Sequence, residues 1–409
     1  MADTLNPKGS DRLHGLDAVR GYALMLGVVF HATMSFLPGY QVWMVKDVHS
    51  TPVLAALFFW SHAFRMTTFF LIAGFFAHMT FHKRGQKAWI IDRLKRIGIP
   101  LVAGWPIIIA SIALAAGYAV YVATGTFPTK GPPSPPAPPG AFPLTHLWFL
   151  YVLLLLYTGA LLLRAFVNAL DRKDRLAATG DWMLQLLTAT PLAPLILALP
   201  LVPALGAHQG WPMWFGIPTP DSSLVPNLPA AVQFSLAFLF GWMLHRQPEL
   251  LRRWSASWPL MLGLAVTATV GALWIVGPLN ITGMAPKNWT RPAFDYLYGV
   301  GAWAWTIAGI GMALKFLSGD NPRRRYIADA SYWVYVVHLP VVLALQVALA
   351  HLPLHWAVKF PLILALTFGI CFGSYHLLVR RSFIGQWLSG RRYSRQVAPV
   401  AIASLEGAA

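Results

Sequence analysis

Five basic side chains sit inside stretches that are otherwise apolar. LDAVRGYALMLGVVFHATMSF carries Arg20 and His31, WSHAFRMTTFFLIAG carries His62 and Arg65, and SYWVYVVHLP carries His338. An imidazole can take a proton from a hydroxyl near neutral pH, and a guanidinium can hold an oxyanion or a carboxylate. The chemistry these residue types suit is proton abstraction beside a developing negative charge. Arg20 and His31 are eleven residues apart, just over three helical turns, so they share a face with His31 roughly 16 Å further along the axis. His62 and Arg65 are spaced i, i+3 and also share a face. A lone histidine in an apolar helix is most often a packing residue. Three unconnected helices that each bring basic groups to one depth read instead as the lining of a cavity. Arg65 is the most informative of the set. The acidic residues nearest any span, Asp17, Asp295 and Asp329, fall near helix ends, so this guanidinium needs carbonyls, water or an anionic ligand.

The elements that must position these groups follow from composition. Of 409 residues, 57% are hydrophobic and 11% charged, and the mean hydropathy is +0.56. A soluble chain carries about a quarter charged residues, so a soluble enzyme, a disordered protein and a disulfide scaffold are excluded. Apolar runs near 16–38, 52–80, 97–123, 144–167, 182–205, 227–245, 257–277, 293–317, 327–351 and 357–380 predict an all-α, polytopic membrane protein with about ten transmembrane helices. The run at 182–205 is the weakest, interrupted by Pro191, Pro194, Pro200 and Pro203. Placing both termini in the cytoplasm puts 25 of the 31 Lys and Arg on the inner side and five on the outer, with Arg65 inside a span. That asymmetry predicts the orientation. It also explains the net charge of +17 without nucleic acid as a partner; the bilayer is the expected one.

Residues 128–143 contain eight prolines and read as a stiff spacer. Trp211, Trp214 and Phe215 read as interfacial-belt aromatics or as a stacking surface for a sugar. Residues 1–392 are expected to form a single domain, with 393–409 a disordered cytoplasmic tail. Cys371 is the one cysteine, so neither a disulfide nor a cysteine metal site is expected, and no metal is expected at all. Residues 1–14 are polar, with no signal-peptide pattern. No Walker motif, dinucleotide fingerprint, zinc motif or GxSxG elbow is present.

Ahead of the third span, HKRGQKAWIIDRLKRIGIP holds Lys83, Arg84, Lys87, Arg93, Lys95 and Arg96. Arg93 and Arg96, spaced i, i+3, suit phosphate oxygens, although such loading is also ordinary for an inner loop. Arg20, ten residues, then His31 resembles the R-x10-H signature of the membrane acyltransferase-3 family. HAFRMTTFFLIAGFF, DRLKRIGIP, HLWFLYVLLLLY and SYWVYVVHLP are similar to segments of its glucan-biosynthesis branch. The resemblance implies a ten-helix enzyme of the bacterial inner (cytoplasmic) membrane that takes an acyl group, succinyl or acetyl, from cytoplasmic acyl-CoA. The group passes to a hydroxyl of a periplasmic glucan. It implies His31 as the catalytic histidine with Arg20 its partner toward the donor, and Arg93 and Arg96, with Lys95, holding the coenzyme phosphates. His62, Arg65 and His338 are matched with less definite catalytic roles, and His146, Trp148 and Asp295 are expected on the acceptor side. His31 is expected as general base or as an acyl-histidine relay; Arg65 is expected to stabilise the oxyanion or to hold a succinyl carboxylate. Another surface polysaccharide (lipopolysaccharide, capsule or exopolysaccharide) is the alternative acceptor. A polysaccharide or lipid transporter is the alternative class, and it would show inverted repeats, which the sequence lacks.

Overall fold

The computed structural model describes residues 14–39, 41–128, 140–171, 173–277 and 288–389. The proline-rich stretch 129–139 and the tail after Arg392 lie outside the described residues. Among the described residues the chain is helical, with no strand beyond one isolated bridge between Ala141 and Ser223.

The first helix, α1 (His14–Thr33), ends in a 3-10 turn at Met34–Phe36 just before Pro38 and Gly39. Next, α2 (Pro52–Arg84) starts where Thr51 accepts from the Val53 amide and proline takes the first position, as suits a helix N-terminus. Then α3 (Gln86–Arg93) runs through a π-turn at Leu94–Gly98 into α4 (Ile99–Thr124). Basic residues 82–96, expected as a loop, are therefore largely helical. Buried Trp89 anchors this helix to α2, its indole N–H donating to the Ala77 carbonyl at 3.1 Å. A 3-10 turn at Thr145–Leu147 leads into α5 (Trp148–Leu170), followed by α6 (Arg175–Ala189), α7 (Ala193–Ala198) and α8 (Leu201–Ala207). The remaining helices are α9 (Leu228–Leu244), α10 (Leu251–Val276), α11 (Thr290–Phe316), α12 (Pro322–Leu349), α13 (Trp356–Ser374) and α14 (Phe383–Ser389).

Eight helical segments are long and apolar enough to cross a membrane. The segment expected near 182–205 is not a straight crossing: α6 and the Ala193–Ala207 segment meet at 117°. Thr190 there is extended and Pro191 cannot continue the amide ladder. Counting the bent pair as one span gives nine, and α9, at 17 residues, is shorter than the rest.

At the centre of the bundle stand α2 and α11, the most buried of the long segments, whereas α4 is almost wholly peripheral. One contact shows how closely the core helices approach. A methyl at Gly74 would lie 1.9 Å from the Phe238 carbonyl oxygen, and one at Gly241 would lie 1.8 Å from that of Leu71. Only glycine lets α2 and α9 cross there backbone to backbone, the usual device of helix pairs in lipid.

Candidate active site

His31 sits in the last turn of α1, so its carbonyl and that of Ala32 have no intrahelical donor. Gln346 of α12, itself buried, supplies one: its amide Nε2 donates to the His31 carbonyl at 3.0 Å and to that of Ala32 at 3.3 Å. Trp43, in the loop after α1, donates its indole N–H to Gln346 Oε1 at 2.8 Å. The Trp43 indole also stacks on the His31 imidazole, 5.6 Å between centroids and 27° between planes. One amide thus ties helix end, loop and α12 around the histidine.

His338, two turns earlier on α12, is 5.2 Å from the His31 ring between centroids. Its Nδ1 donates to the Tyr335 carbonyl at 2.7 Å, which assigns the proton to Nδ1 and leaves Nε2 a buried acceptor without a partner among the described residues. His146, at the start of α5, is braced reciprocally. Its Nε2 donates to the Val336 carbonyl at 3.0 Å, while the Tyr335 hydroxyl donates to the His146 carbonyl at 2.7 Å. Its Nδ1 is likewise buried and unpartnered, as is Nδ1 of His31. Thr145, next to His146, is held at φ +52°, a costly conformation for a β-branched residue.

Arg65 comes from α2 and lies 4.4 Å over the Phe30 ring. It is 92% buried by accessible surface, and its Nη1 has no partner among the described residues. Gly27 of α1 lies beside it, close enough that a methyl there would touch that nitrogen at 3.5 Å. A cavity of about 40 Å³ joins these groups, lined by His31, Arg65, His146, Trp148 and His338 and extending along α1 past Gly27 to Ala23. Two imidazole acceptors, the unpartnered His31 ring and one cationic donor therefore line a common space. Leaving each buried and unpaired costs about 1–3 kcal/mol, more for the charge. Such an arrangement suits a ligand that brings a hydroxyl proton to an imidazole and negative charge to the guanidinium.

His62 belongs to a second, smaller cavity of about 10 Å³ that shares Arg65 and Trp148 with the first. Its Nδ1 is 3.3 Å from the Tyr298 hydroxyl. Gly216, at φ +52°, packs directly on Tyr298: a methyl there would lie 2.1 Å from the ring. The aromatic loop around it is neither a lipid belt nor an open sugar platform at Trp214, which is buried and packs edge-on against Phe59. Phe215 packs on Phe58, which touches the His62 ring, so this loop closes over the second cavity.

Arg20 lies outside the chamber, at the α1–α2 surface, 3.2 Å from Asp17 and over the Phe76 ring. Arg93 and Arg96 join Arg84 around one carboxylate, Asp92, at 3.3, 2.9 and 2.6 Å respectively. Arg93 also donates to the Thr80 hydroxyl at 3.1 Å, the Arg96 carbonyl accepts from Tyr332, and Lys95 is exposed. Three guanidiniums around one carboxylate leave a positive surplus at this end of the bundle. Asp295 does not join the chamber. It is 1% exposed and chelated by Arg291 at 2.9 and 3.0 Å, and Arg291 reaches on to the Leu205 carbonyl. The pair fastens α11 to α8. Among the described residues no cluster of three metal-ligating side chains could hold a metal ion. Trp43, Gln346, Tyr298 and Tyr335 escaped the sequence reading. Gln346, a buried amide inside an apolar helix, carried the one local signal that could have found them.

The fold and the chamber define a polytopic helical membrane protein with a buried basic site. Residues 13–376 match the family model described as an acyltransferase domain, and the chain belongs to this acyltransferase-3 family. It is similar to glucans biosynthesis protein C of Escherichia coli (strain K12), 33% identical over 104 residues, which are 25% of this chain and 26% of that protein. Against the protein of the same name from Shigella dysenteriae serotype 1 it is 28% identical over 172 residues, 42% of this chain and 44% of the relative. The matched part thus spans about a quarter of the first relative and under half of the second. No solved structure matches the chain.

Proposed function

We propose that the protein is a membrane O-acyltransferase of the bacterial inner membrane. In this reading both termini and the arginine-rich end face the cytoplasm, acyl-CoA docks there, and the acceptor is a hydroxyl of a periplasmic glucan. The observation that carries it is the chamber itself, in which imidazole nitrogens and one guanidinium nitrogen, all without a partner among the described residues, share one buried space that runs along α1 toward the arginine-rich end. Arg84, Arg93 and Arg96, with Lys95 beside them and Arg20 on the adjacent helix, would hold the donor's phosphates. A pantetheine arm would then lead the thioester toward His31, along the roughly 16 Å that separates residues 20 and 31 on a helix.

In the reaction, His31 takes the proton of the sugar hydroxyl as its oxygen bonds to the thioester carbonyl carbon. Arg65 holds the carbonyl oxygen as it becomes an oxyanion. Collapse breaks the carbon–sulfur bond, and the leaving thiolate receives the proton from His31. His338 and His146, fixed by their backbone bonds, orient the hydroxyl. The names of the relatives support a glucan acceptor, and the family resemblance supports succinyl or acetyl as the group moved. The test is mass spectrometry of periplasmic glucans from cells with the protein, without it, and with His31→Ala. The expected outcome is one added acyl type that needs both the protein and His31. Normal acylation with His31→Ala would sink the reading.

A further inference from the structure

A cavity much larger than the chamber lies apart from it, at the break between α6 and α7. It measures about 410 Å³, against about 40 Å³ for the chamber. Thr188, Thr190 and Pro191 wall it on the side of the break, and Arg253, Ser257 and Met261 wall it on α10. The break matters in a bilayer. The carbonyls of Leu187, Thr188 and Ala189 have no intrahelical donor, since Pro191 lacks the N–H that would meet Leu187 and the chain turns away after it. Carbonyls at membrane depth cannot face hydrocarbon unless something donates to them.

The lining changes character along α10. Arg253 is in its first turn, and Met261 lies eight residues on, roughly 12 Å deeper. At the mouth, Arg253 Nη1 donates to the Gln185 carbonyl at 3.0 Å and to the Thr188 hydroxyl at 3.2 Å. A guanidinium offers five N–H donors in a fixed fork, so these bonds pin the group in place with donors still to present. The deep end is apolar, with Met261 and Ile307. Leu260 at its rim is 58% exposed, and outside it Leu186, Leu192 and Ile196 are 53%, 49% and 46% exposed, the surface a bilayer covers.

We propose that this wedge is a binding site for one anionic glycerophospholipid of the leaflet at the arginine-rich end. Its phosphate pairs with Arg253, head-group hydroxyls donate to the open carbonyls of α6, and an acyl chain fills the cavity toward Met261 and Ile307. Neither the acyl-transfer reading nor the chamber is needed for this assignment.

The experiment is native mass spectrometry of the full chain extracted in detergent, delipidated and titrated with phosphatidylglycerol, phosphatidylcholine or inorganic phosphate. One phosphatidylglycerol per chain is expected to survive detergent that strips phosphatidylcholine. Arg253→Gln is expected to weaken its retention about tenfold, and Arg253→Lys to retain most of it. Ala256→Trp, which obstructs the cavity from its α10 wall and leaves the charge, is expected to weaken it at least as much as Arg253→Gln. Equal retention of the two lipids overturns the proposal, as does retention unchanged by both Arg253→Gln and Ala256→Trp. Competition by inorganic phosphate alone at the same concentration overturns it too, by marking a bare anion site.

Discussion

At the scale of single residues, the chamber is defined by what its groups lack. Nδ1 of His31 and Nη1 of Arg65 are buried without partners among the described residues, and a fold under no functional demand would pair or expel them. If Arg65 reads a carboxylate at the end of the acyl group, Arg65→Lys should reduce succinyl transfer at least tenfold more than acetyl transfer, because lysine cannot bind a carboxylate in two-point fashion. Equal losses in vesicles supplied with each thioester would restrict Arg65 to the oxyanion. Gln346 acts at one remove, through the His31 carbonyl and Trp43. Gln346→Leu should lower kcat roughly 100-fold through a misplaced imidazole while leaving donor KM nearly unchanged. An equal rise in KM would instead point to a disordered donor path.

At the scale of elements, two contacts carry the geometry. The α2–α9 crossing depends on Gly74 and Gly241, and α2 also carries His62 and Arg65. Gly241→Leu must push the helices apart; a loss of at least 1–3 kcal/mol is expected, read as a lowered melting temperature of the detergent-solubilised protein. A melting curve matching the parent would mean the crossing is looser than drawn. The loop carrying Gly216 sets Tyr298, and Tyr298 sets His62. Gly216→Ala is both strained at φ +52° and in collision with that ring. It should impair transfer far more than it lowers expression, which parallel activity and immunoblot measurements would separate.

For the whole molecule, the loop after α1 is locked to α13 by a fully buried ion pair. Lys359 and Asp47 meet at 2.9 Å with side-chain exposures of 0% and 3%, and Lys359 also donates to the Ala350 carbonyl. Lys359→Met alone strands a buried carboxylate and should cost about 3–5 kcal/mol. The double change Lys359→Met with Asp47→Leu should recover most of that, and no recovery would show that packing rather than charge governs the site. Orientation is open to measurement as well. With Cys371→Ser as background, single cysteines at Lys95 and Arg323 should react with an impermeant thiol reagent only in inside-out vesicles, whereas one at Lys46 should react in intact spheroplasts.

The sequence alone determined the class. Apolar runs are a property of the chain, and a bilayer leaves helix as their one solution, so the apolar helical segments and the candidates His31, His62, Arg65 and His338 were legible, whereas the prolines of 182–205 marked only a weak span and not its sharp bend. Arg65 stood out because a charge in hydrocarbon is costly wherever it ends up. What the chain could not disclose was partnership. Asp295 looked available and is held by Arg291, and Trp214 looked superficial and is buried. Basic loop 82–96 proved helical because Trp89 packs on α2. Gln346, 315 residues from His31, became its brace. Local pattern fixes which face of a helix is polar, but which faces meet depends on crossings and on hydrogen bonds between distant segments, and only the tertiary structure decides those.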